Sequence, residues 1–339
     1  MKIVHFSDLH LKKFYKGKLP LEISNKIIED VWTNLNEVCK YINQISADIV
    51  LIAGDVYDRE FFNLSDMNRF LNIIKTINAK VFISCGNHDY FDSNSLWNRV
   101  EYPENLHVFS NELSYVDLED IGARVFGISY DSFKFNKKLV KPDFSDNLKN
   151  ILVMHCDLED ERYLSPGLEY FRHFDYVALG HIHMRMRIME NAYYSGSIEP
   201  HHFKDSGERG IIIFDTDTRS VDYKDFSIKN FRTIEYEVKE NMTFDNIYSD
   251  VQSLLNDRDL YRIKLTGKHE NYKQIGNFLK NNLSAFYVEI INNVKNNLDI
   301  YDVFGNDRLI MNFLDSFTEE EKDSKDLAIE YLLEQYNEI

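Results

Sequence analysis

Cysteine, basic charge and long apolar runs are all scarce in this chain, and each shortage removes a class of protein. Three cysteines occur in 339 residues, Cys39, Cys85 and Cys156. Their odd number and the lack of any Cys-x-x-Cys pairing exclude a disulfide framework and a thiolate zinc site, and three buried thiols are expected. Lys and Arg total 39 against 56 Asp and Glu, a formal charge of −17. Proteins that coat nucleic acid carry a basic face, so a nucleic-acid substrate would have to be held by a local patch, by metal ions or by a partner subunit. No stretch approaches the roughly 20 apolar residues of a membrane span. Met1-Lys-Ile-Val-His-Phe enters a strand-like run without a signal-peptide pattern. A cytoplasmic protein with no membrane association is expected, and there is neither an internal repeat nor a low-complexity tract.

What is abundant is Val/Ile-rich strand signal. Runs at Lys2–Phe6, Asp48–Ala53, Lys80–Ser84, Val125–Ile128, Asn150–Met154 and Tyr176–Leu179 predict inner strands buried on both faces. Between the first three, Ile27, Ile28, Val31, Leu35, Val38 and Ile42, then Phe70, Leu71, Ile74 and Ile77, recur at helical spacing. Strand, helix, strand, helix, strand predicts an α/β sheet with right-handed crossovers. The strand-like stretches after His183 (Tyr193–Gly196, Gly210–Phe214, Val221–Phe226) are expected to form a second sheet packed on the first. Composition shifts after Ile228. The domains are expected to be residues 1–228, a small α+β module over 229–294 and a helix-loop-helix over 295–339. In the last, Leu309, Ile310, Phe313, Leu314 and Phe317 form one stripe, and Ile329, Leu332, Leu333 and Tyr336 another.

Five polar stretches follow five of these runs: Asp8-Leu-His10, Gly54-Asp55-Val-Tyr-Asp58, Gly86-Asn87-His88-Asp89, His155, and Gly180-His181-Ile-His183. The carboxyl ends of strands in an α/β sheet deliver side chains to a shared crevice. Oxygen and imidazole donors without thiolate suit two divalent ions, Mn, Fe, Zn or Mg. A metal pair roughly 3.5–4 Å apart needs one bridging carboxylate. Asp55 is the natural bridge, with Asp8, His10, Asn87, His155, His181 and His183 completing the two sets. His5, His107, His173 and His269 have no such context and are expected at the surface or satisfied in the core. His201-His202 follow a probable strand and either line the cleft or belong to a solvated loop.

In residues and order these motifs resemble the calcineurin-like metallophosphoesterase superfamily. The resemblance implies a two-sheet αββα sandwich, with one ion on Asp8, His10, Asp55 and His183 and the other on Asp55, Asn87, His155 and His181. It implies that His88 protonates the leaving oxygen, that Asp58 orients His88, and that hydrolysis is a single displacement with no covalent enzyme intermediate.

The Gly54–Asp58 form, Tyr194-Ser-Gly-Ser, Gly207-Glu-Arg-Gly-Ile and the small module look like the SbcD-type DNA repair exonuclease branch. That likeness implies a manganese-dependent exonuclease and endonuclease whose small module caps the site. It also implies terminal helices that dock on an SMC-like coiled-coil ATPase, and a homodimer is typical of the branch. Lys12, Lys13, Lys16 and Lys18 follow the first motif and either contact substrate backbone or only solvate a loop. Arg59 occupies the place of a phosphate-holding Arg in protein phosphatases, which keeps a small phosphoester or nucleotide open as substrate. A scaffold without activity is the third reading, opposed by the full set of ligand-type residues. The terminal stripes either pack on their own domain or await a partner. Eight acidic and two basic residues from Thr318 onward fit a basic or apolar protein surface rather than DNA.

Overall fold

The computed structural model describes all residues except 14, 16, 17, 206, 338 and 339. It divides into two compact units, Met1–Asn230 and Phe231–Ile339. In the first unit β1 (Lys2–Phe6), α1 (Leu21–Gln44), β2 (Ile49–Ile52), α2 (Leu64–Ile74), β3 (Lys80–Ile83) and β4 (Leu106–Val108) succeed one another. β5 (Ser114–Leu118), β6 (Ala123–Ile128), β7 (Lys149–His155), α3 (Leu168–Phe171), β8 (Tyr176–Gly180), β9 (Met186–Arg187) and β10 (Ala192–Tyr194) follow, then β11 (Gly210–Asp215) and β12 (Val221–Asp225). The strands form two six-stranded sheets, ordered β12-β11-β1-β2-β3-β4 and β5-β6-β7-β8-β10-β9.

Side-chain alternation builds the layers. In β2, Ile49 and Leu51 join Ile151, Val153, Tyr176 and Ala178 of the other sheet in one core, whereas Val50 and Ile52 face Val31, Leu35, Val38 and Ile42 of α1. In β7 and β8, Leu152, Met154, Val177 and Leu179 turn outward to Phe171, Phe174 and Tyr130. Period-two burial on both faces of both sheets gives the helix–sheet–sheet order of the sandwich. The outermost layer over the second sheet is the short α3 and the loops beside it. α2 starts on a capping box in which Asn63 accepts from the Asp66 amide and Asp66 accepts from that of Asn63. Cys39, Cys85 and Cys156 are free and buried.

Sheet membership differs from the sequence expectation. The second sheet is built largely before His183, from β5 to β8, and β11 instead pairs antiparallel with the open edge of β1, Lys2 opposite Asp215. Apolar periodicity shows that a strand is buried on both faces but carries no pairing information.

The second unit opens with a three-stranded parallel sheet of β13 (Phe231–Val238), β14 (Leu260–Gly267) and β15 (Tyr287–Asn292), joined through α4 (Phe244–Ser253) and α5 (Tyr272–Asn282). One sheet face presents Tyr261, Ile263 and Leu265 to Ile247, Val251, Ile275 and Leu279 of the helices. The other carries ion pairs across the strands, Arg262–Glu289 at 2.7 Å and Lys264–Glu235 at 3.2 Å. Three terminal helices follow, α6 (Ile300–Phe304), α7 (Arg308–Asp315) and α8 (Lys322–Asn337), one more than the two stripes predict. Ile300, Leu314 and Leu333 are their buried centre. Leu309, at 80% exposure, and Phe313, Leu327 and Tyr331 stay open to solvent. No helix among the described residues is long and apolar enough to cross a membrane.

Leu51 is fully buried where the sheets meet. Leu51→Ala is expected to cost about 2–5 kcal/mol through lost burial and a residual cavity, read as a lower urea midpoint at unchanged slope.

Candidate metal centre

All seven expected donors leave the carboxyl ends of parallel strands: Asp8 and His10 after β1, Asp55 after β2, Asn87 after β3, His155 at the end of β7, and His181 and His183 after β8. Backbone bonds stitch the loops together. Asp8 N donates to Gly54 O, and His10 N to Asp55 O, both at 3.0 Å. The sheets are joined at the same level by His155 Nδ1 donating to Ala53 O at 2.9 Å and by the His181 amide donating to the Asp8 carboxylate at 3.2 Å.

The turns are tight and unusual. Asp8, His10, Asp55 and His181 have φ of 53°, 43°, 50° and 106°, a region costly for residues with a Cβ, at about 1–3 kcal/mol each, and concentrated at functional sites. Gly54, at φ 87°, has no such choice, because a Cβ there would lie 2.6 Å from His155 Nδ1. At Gly180 a Cβ would run into the Ala53 carbonyl.

Two groups of donor atoms result. In one, His10 Nε2 and His183 Nε2 are 3.2 Å apart, with Asp8 close by and Asp55 Oδ2 3.6 Å from His10. In the other, His155 Nε2, His181 Nδ1 and Asn87 Oδ1 lie 3.0–3.2 Å from one another, with Asp55 Oδ2 3.5 Å from His155. Asp55 therefore stands between the groups, as a bridging carboxylate must.

The outward nitrogens show why these rings suit cations. His10 Nδ1 donates to Asp58 at 2.8 Å, His155 Nδ1 to Ala53 O, and His181 Nε2 pairs with Asp157 at 3.1 Å; His183 Nδ1 faces Asp205 at 3.7 Å. A ring whose outer nitrogen carries the proton turns a lone pair inward, which is the pattern of metal-bound histidine with its supporting carboxylate or carbonyl. Inward lone pairs facing each other and Asn87 Oδ1 have no hydrogen to share, and divalent cations fit that arrangement.

His88 lies outside both groups, with a side chain 40% exposed and Nδ1 3.0 Å from Asp58 Oδ1. Burial disfavours its charge, but the bond to Asp58 and the charges of Asp55 and Asp58 outweigh that and raise its pKa to about 9. Burial likewise opposes ionisation of Asp58, and its bonds to His10 and His88 reverse this, holding the carboxyl far below its usual range. Asp58 thus serves two histidines, where the sequence reading gave it one.

Of the basic residues singled out in the sequence and described in the structure, Lys13 is the one in the field of the cluster's carboxylates. It is half-buried; burial lowers its pKa, against the pull of Asp58, Asp205 and Asp55, and it makes no ion pair among the described residues. Lys12 pairs with Asp66 at 3.5 Å. Lys18 is exposed, and Lys16 lies outside the described residues. The Arg59 guanidinium is engaged by Tyr90 O, by Asp92 Oδ1 at 2.9 Å and by the Tyr90 ring. It is not held out toward the donors.

Sequence reasoning missed Asp157, Asp205 and Asp89. Asp89 is fully buried and accepts from the amides of Asp55, Val56 and Gly86 at 2.7–3.1 Å, clamping two donor loops together. Burial and the neighbouring Asp55 charge push its carboxyl up to about 7. Its place in the third motif was its only signal; Asp205 had none. Of the two open readings for His201-His202, the structure takes the cleft: His201 is buried, with Nε2 3.0 Å from Asp8 O. His5 and His269 are satisfied core residues, bonded to Leu179 O and Met242 O respectively.

Phosphoester hydrolysis by a metal pair is the chemistry such a cluster serves. The sequence matches the family model of calcineurin-like phosphoesterases over residues 1–185, more than half the chain, and the protein belongs to that family. It is similar to an uncharacterized metallophosphoesterase of Bacillus subtilis (strain 168), YhaO, at 24% identity over 244 residues, covering 66% of this chain and 59% of that protein. The matched part is thus less than two thirds of the Bacillus protein. The D component of the SbcCD nuclease from Staphylococcus epidermidis (strain ATCC 12228 / FDA PCI 1200) is 27% identical over 310 residues, covering 78% of this chain and 79% of that protein.

Asp58→Asn should remove the support of both His10 and His88. Affinity for Mn2+, measured by calorimetry, is expected to fall about 10–100-fold, and the His88 pKa of the metal-free protein, read by NMR titration, to move down from about 9 toward the usual imidazole range.

Proposed function

We propose that this protein is a metal-dependent DNA exonuclease and endonuclease, hydrolysing phosphodiester bonds with two divalent ions, manganese first among them, as the nuclease component of an assembly with an SMC-like ATPase. The observation that carries this is the similarity to a nuclease component over 78% of the chain, a longer share than the first unit with its metal-type motifs makes up. Asp8, His10, Asp55 and His183 would hold one ion, and Asp55, Asn87, His155 and His181 the other. Bound there, the cations would supply a water of lowered pKa and neutralise charge on the phosphoryl oxygens.

The chain's own residues do the remainder. His88, kept protonated and oriented by Asp58, donates to the leaving oxygen. Asp157, Asp205 and the Ala53 carbonyl fix the rings of His181, His183 and His155. Lys13 is the cation placed to meet a phosphate. Phe133, 5.7 Å from His88, and Tyr163, 4.7 Å from His181, give the mouth an aromatic rim suited to a nucleobase. The module that opens the second unit serves as the cap, and the open faces of α7 and α8 dock the ATPase, whose own basic surface would offset the acidity of this chain. The protein acts in the cytoplasm.

The second reading, a phosphatase or phosphodiesterase for small esters, draws on the general phosphoesterase description of the Bacillus relative. A manganese-dependent assay of duplex DNA, single-stranded DNA and bis(p-nitrophenyl) phosphate separates the two. Cleavage of DNA is expected, lost in His88→Ala with metal content near two ions per chain. Turnover of the small ester alone would overturn the nuclease assignment. Ending the chain after Asn306 should leave hydrolysis of the small ester intact and abolish co-purification with the ATPase.

A further inference from the structure

Four imidazoles stand in a row across the centre. Ring centroids are 4.8 Å apart for His88 and His10, 5.0 Å for His10 and His183, and 6.0 Å for His183 and His202. The inner two turn nitrogens toward each other. The outer two are open, the side chain of His88 40% exposed and that of His202 47% exposed.

Both ends of the row are built alike. Asp58 Oδ1 meets Nδ1 of His10 at 2.8 Å and of His88 at 3.0 Å; Asp205 faces Nδ1 of His183 at 3.7 Å and of His202 at 3.1 Å. Asp205 is itself anchored by the His201 amide at 2.7 Å, so the fold holds it without help from His202. A carboxylate at Nδ1 keeps the proton there and leaves Nε2 as the free edge of the ring. Nε2 of His202 has no partner among the described residues. A half-exposed ring aimed by a buried carboxylate, and carrying no weight in the core, is placed for a ligand.

We propose that His202 is a second substrate-contacting histidine, whose Nε2 accepts a hydrogen bond from the free sugar hydroxyl of a terminal nucleoside that stays on the phosphate while His88 serves the group that leaves. The inference rests on the phosphoesterase reading above and narrows it: a monoester has no second arm, whereas a nucleotide diester fills both ends of the row.

The test compares wild type, His202→Asn and His202→Gln on thymidine 5′-(p-nitrophenyl phosphate) and on p-nitrophenyl phosphate, with manganese. Both esters release nitrophenolate, so only the retained arm differs. The Asn amide keeps a group at the Nδ1 position to meet Asp205 but lacks the outer nitrogen; the Gln amide reaches the outer position. His202→Asn is expected to lose about tenfold more kcat/KM on the thymidine ester than on the monoester, mainly in KM, as for one lost hydrogen bond. Gln should recover most of that difference. Calorimetry with thymidine 5′-monophosphate should show the same weakening, at wild-type metal content. Equal losses on the two esters, metal lost with activity, or rescue by Asn rather than Gln would each mean that His202 acts only through Asp205, and would overturn the inference, as would no loss at all. A wild type that cleaves neither ester would bring down the phosphoesterase reading itself, a distinct result.

Discussion

Where the two sheets meet, His10 Nε2 faces His183 Nε2 and His155 Nε2 faces His181 Nδ1, each at 3.2 Å and lone pair to lone pair. Neither ring of a pair can turn away, because its outer nitrogen is held by a carboxylate or a carbonyl. Buried polar atoms normally find a hydrogen to share; here the fold denies it. Left-handed backbone at four donor positions, a glycine where no Cβ fits and a clamp of three amides on Asp89 all maintain this mutual frustration. Divalent cations relieve it, so their binding should stabilise the folded unit by mass action as well as equip it for catalysis.

The first unit was readable because its chemistry follows from order along the chain. Each motif comes directly after an apolar run, so strand and donor announce one another, and the expectation of Asp55 between two sets of donors needed only that logic. What escaped the reading depends on closure in space. Asp205 lies well beyond the last of the five metal-type motifs; its pairing with His202 is local, but its relation to His183 arises only when the chain returns to the β1 edge. Lys12 and Lys13 are equivalent in sequence, yet Lys12 has a left-handed φ of 64° and pairs with α2, which leaves Lys13 facing the cluster. Arg59 carries a suggestive motif position, but Tyr90 and Asp92 engage it. The exposed Leu309 and Phe313 illustrate a further limit: helical periodicity marks an apolar stripe without saying what covers it.

The charge balance takes on a different meaning beside the site. Asp58, Asp157 and Asp205 work as supports for imidazoles, so part of the acidic excess is structural. Asp58 and Asp205, together with Asp55, also act on Lys13, a half-buried cation in a negative field. An arriving phosphate would meet it together with the metals, and binding would depend on local geometry more than on the sign of the whole surface.

The pairing of β11 with β1 has a consequence for the order of events in folding. Lys2 meets Asp215 across almost the full length of the first unit, among the most distant pairings the chain contains. During synthesis, the edge of β1 must wait for β11 to emerge from the ribosome. Until then that edge is an unpaired strand open to mispairing, and the Asp205 loop that precedes β11 has nothing to be closed against. The strand at the very start of the chain is thus completed by one of the last strands of its unit, and the carboxylate that supports His183 arrives with it.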